Sequence, residues 1–324
     1  MTLRRIGVRA PAKINLFLHA GEKRDDGYHA LESLAVFAET ADRMEFAPAS
    51  ELTLTIDGPF ANKLAGENDN LILKAARALQ ASPSHPSGER ARGRQAKGPV
   101  DLSQSERVRG SFGAHILLDK NLPVAAGIAG GSADAAAALR ALNMFWDLNL
   151  TEPELLDIAA GLGSDVPACM LSSPCWMEGR GERVTRTDAL PQFPLVLVNP
   201  GVMVPTGQVF ADLNARTGIG AMQPPPRIQT LWDLVAYLED AGNDLEAPAG
   251  RLAPIIEDVL LALDREPGCA LAQMSGSGAT CFGLFHEAQF AAGAAERIAQ
   301  DHPDWWVRLT RIAAPDIGDP EYLP

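Results

Sequence analysis

A chain of 324 residues is long enough for one large domain or two ordinary ones, and 46% hydrophobic with 21% charged residues is the make-up of a globular protein rather than a disordered one. The net charge of −13 argues against a general nucleic-acid binder, which needs a basic face, but leaves room for a local phosphate site built from backbone amides and a lysine. No apolar stretch is long enough to cross a bilayer, and Met1-Thr2-Leu3-Arg4-Arg5 leads into a strand-like run rather than a signal-peptide core, so the expected setting is the cytoplasm.

The first 60 residues read as short strands at 6–10, 14–19, 34–38, 44–46 and 52–56, separated by Gly, Pro and Asp. Asn68-Asp69-Asn70 then opens a helix in which Leu71, Ala75 and Leu79 share one face at a spacing of four. Residues 82–113 break the pattern with Ser-Pro-Ser-His-Pro-Ser-Gly and an arginine-rich run. Poor in large apolar residues, they read as a solvated insertion rather than a nucleic-acid or partner contact. A strand returns at 114–118, followed by a glycine-rich loop and an alanine-rich helix over 132–143. Thr151-Glu152-Pro153-Glu154 is a capping box that launches a helix towards Ala160. Strands follow at 175–178 and 195–199, and 191–205 reads as the crossing into a second lobe. That lobe holds helices at 206–214, 228–238, 252–263 and 287–300 and strands at 270–274, 281–285 and 306–309. Such a chain is α+β with two lobes, 1–190 and 191–324. Cys169, Cys175, Cys269 and Cys281 form no CxxC pair and read as core residues.

The strongest chemical feature is Pro123-Val124-Ala125-Ala126-Gly127-Ile128-Ala129-Gly130-Gly131-Ser132-Ala133, where a strand ends, small residues turn the chain and a helix begins. Small side chains let a polyphosphate approach the backbone, and the first helical N–H groups point outward with the positive dipole end behind them. Ser132 can add a hydroxyl to phosphate or to phosphate-bound Mg²⁺. The spacing is neither a Walker loop nor the dinucleotide GxGxxG, and taken alone it also fits a tight turn with close helix packing.

Three segments occur in a telling order: Pro11-Ala12-Lys13-Ile14-Asn15-Leu16, the loop ending Gly130-Gly131-Ser132, and Ser275-Gly276-Ser277-Gly278-Ala279-Thr280. They resemble the three motifs of the GHMP small-molecule kinases. Asp26-Gly27-Tyr28-His29, Gly163-Ser164-Asp165-Val166-Pro167 and Asn243-Asp244-Leu245-Glu246 narrow the resemblance to the branch whose substrate carries a cytidine diphosphate. The resemblance runs from about Val8 to Phe285, skips 82–113 and fades after Trp306. It implies a ribosomal-protein-S5-like N-terminal lobe, a ferredoxin-like C-terminal lobe, ATP with Mg²⁺, and no obligatory protein partner. The loop carries Ala125, Ala126 and Ala129 where relatives often have glycine, a change small enough to leave phosphate binding in place.

Phosphoryl transfer needs positioning, charge stabilisation and an acceptor for the hydroxyl proton. Asp165 sits among small residues just after a helix, where a carboxylate stays accessible; an Asx-turn or helix N-cap would look the same. Lys13 lies among apolar strand residues, an awkward place for an ammonium unless it meets an anion such as Asp165. An edge-strand lysine reaching water is the plain alternative; the resemblance makes Lys13 and Asp165 the catalytic pair. It also places Tyr28, His29 and Phe210 at a nucleobase and Asn15 and Thr206 at the polar groups of the substrate. Without it, Tyr28-His29 is a surface turn and Phe210 a core residue. Asn70 and Lys120 are weaker candidates for the nucleotide side, and no metal ligand is legible. A mevalonate- or homoserine-type kinase, a nucleotide-binding module and an inactive relative remain as alternatives.

Overall fold

The computed structural model describes residues 5–64, 70–82, 113–213, 222–238 and 241–324. The insertion expected over 82–113 therefore lies, apart from its two end residues, outside the described residues.

Two strands frame the molecule. β1 (Arg5–Lys23) and β2 (His29–Pro48) pair antiparallel along almost their whole length. This corrects the four shorter strands expected from the interruptions at Pro11 and the polar residues. The chain absorbs Pro11 in a bulge, where the register shifts between Pro11 and Lys13. Across the shift β1 advances by two residues and β2 by four, from Pro11 opposite Ala41 to Lys13 opposite Phe37, and the faces of both strands change there. Before the bulge Ile6, Val8 and Ala10 pack with Phe37, Met44 and Phe46 in the core beneath the helices. After it Ala12, Ile14 and Leu16 belong to a second core that reaches the other lobe. Lys13 and Asn15, opposite Phe37 and Ala35, are thereby turned to the helix side.

The second half of β2 pairs with β4 (Ala114–Asp119), to which β3 (Leu52–Asp57) adds in parallel. Its first half pairs with β5 (Cys175–Gly179), which carries β6 (Arg183–Arg186). β11 (Glu321–Leu323) returns from the far end of the chain to the free side of β1, completing seven strands. Among the described residues four helices pack here: α1 (Leu71–Ala81), α2 (Gly130–Phe145), α3 (Glu152–Leu162) and α4 (Val166–Leu171). Buried Ala133 and Ala135 to Ala138 let α2 lie close to its neighbours. The expected capping box opens α3, the Glu154 carboxylate accepting the Thr151 N–H at 2.9 Å. At six residues, α4 is too short for a periodic signal and reads as a turn in the sequence.

The second sheet is antiparallel, in the order β10 (Trp306–Arg311), β7 (Pro194–Asn199), β9 (Cys281–Phe285), β8 (Cys269–Met274). With it go α5 (Thr206–Ala211), α6 (Leu231–Leu238), α7 (Glu246–Leu252), α8 (Ile255–Asp264) and α9 (Ala288–Asp301). The helix expected over 252–263 is thus α8, with Pro254 at its N-cap and α7 as a separate helix before it.

β1 laces the two sheets together. The Asn15 N–H donates to Ser275 Oγ and Gln273 Nε2 to the Leu16 carbonyl, both at 3.1 Å. The Leu18 N–H reaches the Gly242 carbonyl, and the Ala20 N–H the Asp244 carboxylate at 2.9 Å. Cys169, Cys175 and Cys281 are buried and Cys269 half-buried, all as free thiols. No helix among the described residues is long and apolar enough to cross a membrane.

Candidate active site

A cavity of about 970 Å³ opens between the start of α2, the middle of β1, the start of α4 and the Ser275–Thr280 turn. Its floor is the loop before α2. Ala125, Gly127 and Ala129 have φ of 52°, 77° and 50°, alternating with ordinary residues, a pattern that turns successive N–H groups towards a common point. The opposite side of the loop is held. The carbonyls of Ala126, Gly127 and Ile128 accept, in turn, the Thr280 N–H, the Ser275 hydroxyl and the Lys13 N–H, each at 3.1 Å. Ala129 caps α2 without a side-chain bond, so the first-turn N–H groups after it have no acceptor in the helix. The result is an anion cradle with a helix dipole behind it.

Ala125, Ala126, Gly127, Ala129, Gly130, Gly131 and Ser132 line the cavity. Pro123, Val124, Ile128 and Ala133 do not. Pro123, Ile128 and Ala133 are buried, and Ile128 contributes its carbonyl to β1 instead.

Lys13 Nζ lies 2.6 Å from Asp165 Oδ1. The lysine is 3% exposed, so its charge is compensated at the cavity edge rather than in bulk water. Asp165 does occupy the N-cap position of α4, but its carboxylate makes no capping bond there. It turns to Lys13.

Beyond this pair Asn15 Nδ2 donates to Ser33 Oγ at 2.7 Å, and Ser33 Oγ to the Phe17 carbonyl. Asn15 Oδ1 is buried without a partner. Within the second lobe the hydroxyls of Thr206 and Ser277 meet at 2.9 Å. At the far end His29 Nδ1 donates to the Gly21 carbonyl at 2.8 Å, which leaves Nε2 as the acceptor nitrogen. The His29 and Phe210 rings stack at 5.4 Å, and Tyr28, 49% exposed, lies under the Arg180 guanidinium. Apart from Phe17 and Gly21, which contribute only carbonyls, these residues line the same cavity.

Asn70 and Lys120 are outside the lining. Asn70 Oδ1 accepts the Ile72 N–H as the cap of α1. Lys120, buried behind the cradle, donates to Asp42 and, at 2.7 Å, to Asp134. One ammonium between two carboxylates leaves the cluster a proton short, and burial pushes the Asp134 carboxyl up to about 7.

Sequence reasoning missed Ser33 and Arg180. The available signal for Arg180 was its flanking glycines, which take φ of 78° and 109° and swing the side chain over the cavity. The Asn243–Glu246 motif proves to brace the turn: Asn243 Nδ2 donates to the Met274 and Gly276 carbonyls at 2.8 Å, and Glu246 accepts the Met274 N–H.

Residues 94–173 match the family model for the GHMP kinases N terminal domain, and residues 228–303 that for GHMP kinases C terminal. A 4-diphosphocytidyl-2-C-methyl-D-erythritol kinase of Parvibaculum lavamentivorans is 45% identical over 303 residues, covering 93% of this chain and 96% of its own. One of Cereibacter sphaeroides is 45% identical over 304 residues, covering 94% and 98%. A crystal structure of 4-(cytidine 5'-diphospho)-2C-methyl-D-erythritol kinase superposes with a TM-score of 0.68 at 30% identity, covering 95% of this chain and all of the other. Homoserine kinase from Cytophaga hutchinsonii shares the fold, with a TM-score of 0.62 at 15% identity over 98% of this chain and 97% of its own. The chain belongs to the GHMP kinase family, and within it to the group of the 4-diphosphocytidyl-2-C-methyl-D-erythritol kinases.

Proposed function

We propose that the cavity transfers the γ-phosphoryl group of ATP to the 2-hydroxyl of 4-diphosphocytidyl-2-C-methyl-D-erythritol, a step in making isoprenoid precursors by the non-mevalonate route. The observation that carries the reading is the Lys13–Asp165 pair at 2.6 Å, set between a phosphate cradle on one side and the Tyr28, His29 and Phe210 rings on the other.

The amides that open α2 hold the phosphates. The Lys13 ammonium offsets the charge that develops on the transferred group, and the Asp165 carboxylate takes the proton of the attacking hydroxyl. Asn15 Oδ1, buried without a partner, accepts from the substrate, and Thr206, which also lines the cavity, contacts its polar groups. His29 Nε2, an acceptor in this tautomer, suits the exocyclic amino group of cytosine, with Tyr28 and Phe210 offering ring faces to the base. Among the described residues no group of three or more His, Cys, Asp or Glu is placed to hold a metal. Mg²⁺ bound with the polyphosphate would be held by the Ser132 hydroxyl and would supply neutralisation of phosphate charge. Residues 1–190 form the lobe that supplies the cradle and both catalytic residues, and 191–324 the lobe that closes the cavity.

The test is ADP release with ATP and Mg²⁺ and three alcohols in turn. Turnover is expected with 4-diphosphocytidyl-2-C-methyl-D-erythritol and not with mevalonate or homoserine; comparable turnover of mevalonate overturns the substrate assignment.

A further inference from the structure

Arg140 stands on α2, ten residues past the start of the cradle at Gly130. Its Nε donates to the Gly318 carbonyl at 2.7 Å, and its Nη1 to the carbonyls of Cys169 at 2.7 Å and Met170 at 3.0 Å. The last two belong to the final turn of α4, where a helix leaves its carbonyls without partners of its own. Nη2 is buried and has no acceptor. No carboxylate within ion-pair distance of Arg140 occurs among the described residues, and burial pushes its pKa down to about 10. Gly318 lies so close that a Cβ there would be 2.6 Å from Nη2. A half-buried guanidinium whose hydrogen bonds all go to carbonyls, offset only by the longer-range charge of Asp319, is a costly way to gain stability. What this one provides is a fixed junction between α2, α4 and the segment leading to β11.

That junction has a bearing on the chemistry. The N-terminus of α2 is the phosphate cradle and the N-terminus of α4 carries Asp165, which lacks a capping bond to seat it locally. α4 is one short rigid unit, about 9 Å long at 1.5 Å per residue. A shift of its last turn is therefore passed to its first residue. We propose that Arg140 is a positioning residue for phosphoryl transfer: by clamping the end of α4 to α2, it fixes the Asp165 carboxylate relative to the phosphates. Misplacement of a reacting group by about 1 Å can cost roughly a hundredfold in rate. The inference rests on the reading of Asp165 as the proton acceptor.

The test compares Arg140→Met and Arg140→Lys, each alone and combined with Asp165→Asn, assayed well below the melting temperature of every variant. Arg140→Met is expected to lower kcat about tenfold or more with the KM for ATP changed less than about threefold, and Arg140→Lys to recover part of the loss. In the Asp165→Asn background Arg140→Met is expected to cause no further loss, because the group it positions is already gone. A folded Arg140→Met enzyme with unchanged kcat overturns the proposal, as does an equal loss in both backgrounds. If Arg140→Met fails to fold, Arg140→Lys carries the same comparison. Full kcat in Asp165→Asn alone overturns the reading of Asp165 and this inference with it; a large loss there with none in Arg140→Met overturns only the inference.

Discussion

Lys13 and Asp165 share one short ion pair but not one environment: the lysine side chain is 4% exposed and the aspartate side chain 40%. The cation is locked into the protein, while the carboxylate keeps an open face towards the cavity. This division suits a fixed charge that stabilises and a base that must reach a substrate hydroxyl.

Asp165→Asn retains size and hydrogen bonding but removes the proton acceptor, so kcat should fall by roughly two orders of magnitude or more. ATP affinity by calorimetry should stay near wild type, since the cradle amides act independently of that carboxylate. Lys13→Ala should lower kcat as well, and the double variant should be little worse than the worse single one. Full kcat in Asp165→Asn would leave that residue as a structural partner of Lys13 only.

Gly127→Ala should damage the cradle. A Cβ there would meet the Ser275 carbonyl oxygen at 2.4 Å and the Gly278 nitrogen at 2.7 Å, at a φ of +77°. Both neighbours are backbone, and the strain should cost about 1–3 kcal/mol together with a tenfold or greater rise in the KM for ATP. Wild-type values in thermal melts and ATP titrations would show that the loop does not need to touch that turn.

Ala129→Gly runs the other way. Ala129 holds φ 50°, a conformation costing an alanine about 1–2 kcal/mol, against roughly 0.4–1 kcal/mol for the added freedom of glycine in the unfolded chain. Urea unfolding should show stability unchanged or raised by up to about 1.6 kcal/mol. A clear loss of stability would mean that the methyl group packs better than its backbone suggests.

Asp134 sets a pH dependence. Its carboxyl is raised in the folded protein from 3.8 to about 7 by burial, so the native state keeps a proton that the unfolded chain has released. That contribution is complete below about pH 4 and is lost as the pH rises to about 7. Stability measured at about pH 5 and pH 8 should therefore fall more in wild type than in Asp134→Asn. Equal pH slopes would show that the cluster behind the cradle keeps the same protonation throughout.

Much of this was legible in the sequence, for a physical reason. Lys13 and the glycine-rich loop break local rules, a lysine among apolar strand residues and a helix start without a capping side chain, and such conflicts can be seen without knowing the fold; Asp165 breaks none and was singled out by the resemblance. The bulge at Pro11 was not legible, since an apolar run interrupted by proline looks like two strands until β2 is seen pairing across the gap. α4 was too short for periodicity. Arg140 looked like an ordinary helix residue because its partners are carbonyls at 169, 170 and 318, which carry no side-chain signature. Lys120 misled in the opposite direction: a lysine near a phosphate loop suggested a nucleotide contact, but its two carboxylate partners come from β2 and α2.

The lacing of β1 to both sheets bears on how the molecule comes apart. Polar contacts from Asn15 to Ala20 tie β1 into the second lobe, and the Ala12, Ile14 and Leu16 side chains sit in a core with Leu195, Leu197 and Phe282. Pulling the lobes apart would strip one of the two longest strands of one sheet from its packing on the other. Two sheets joined in this way have no low-cost partly unfolded state in which one survives alone. Circular dichroism, tryptophan fluorescence and loss of ATP binding should then trace a single denaturation curve with one midpoint, as they would for a protein of one domain.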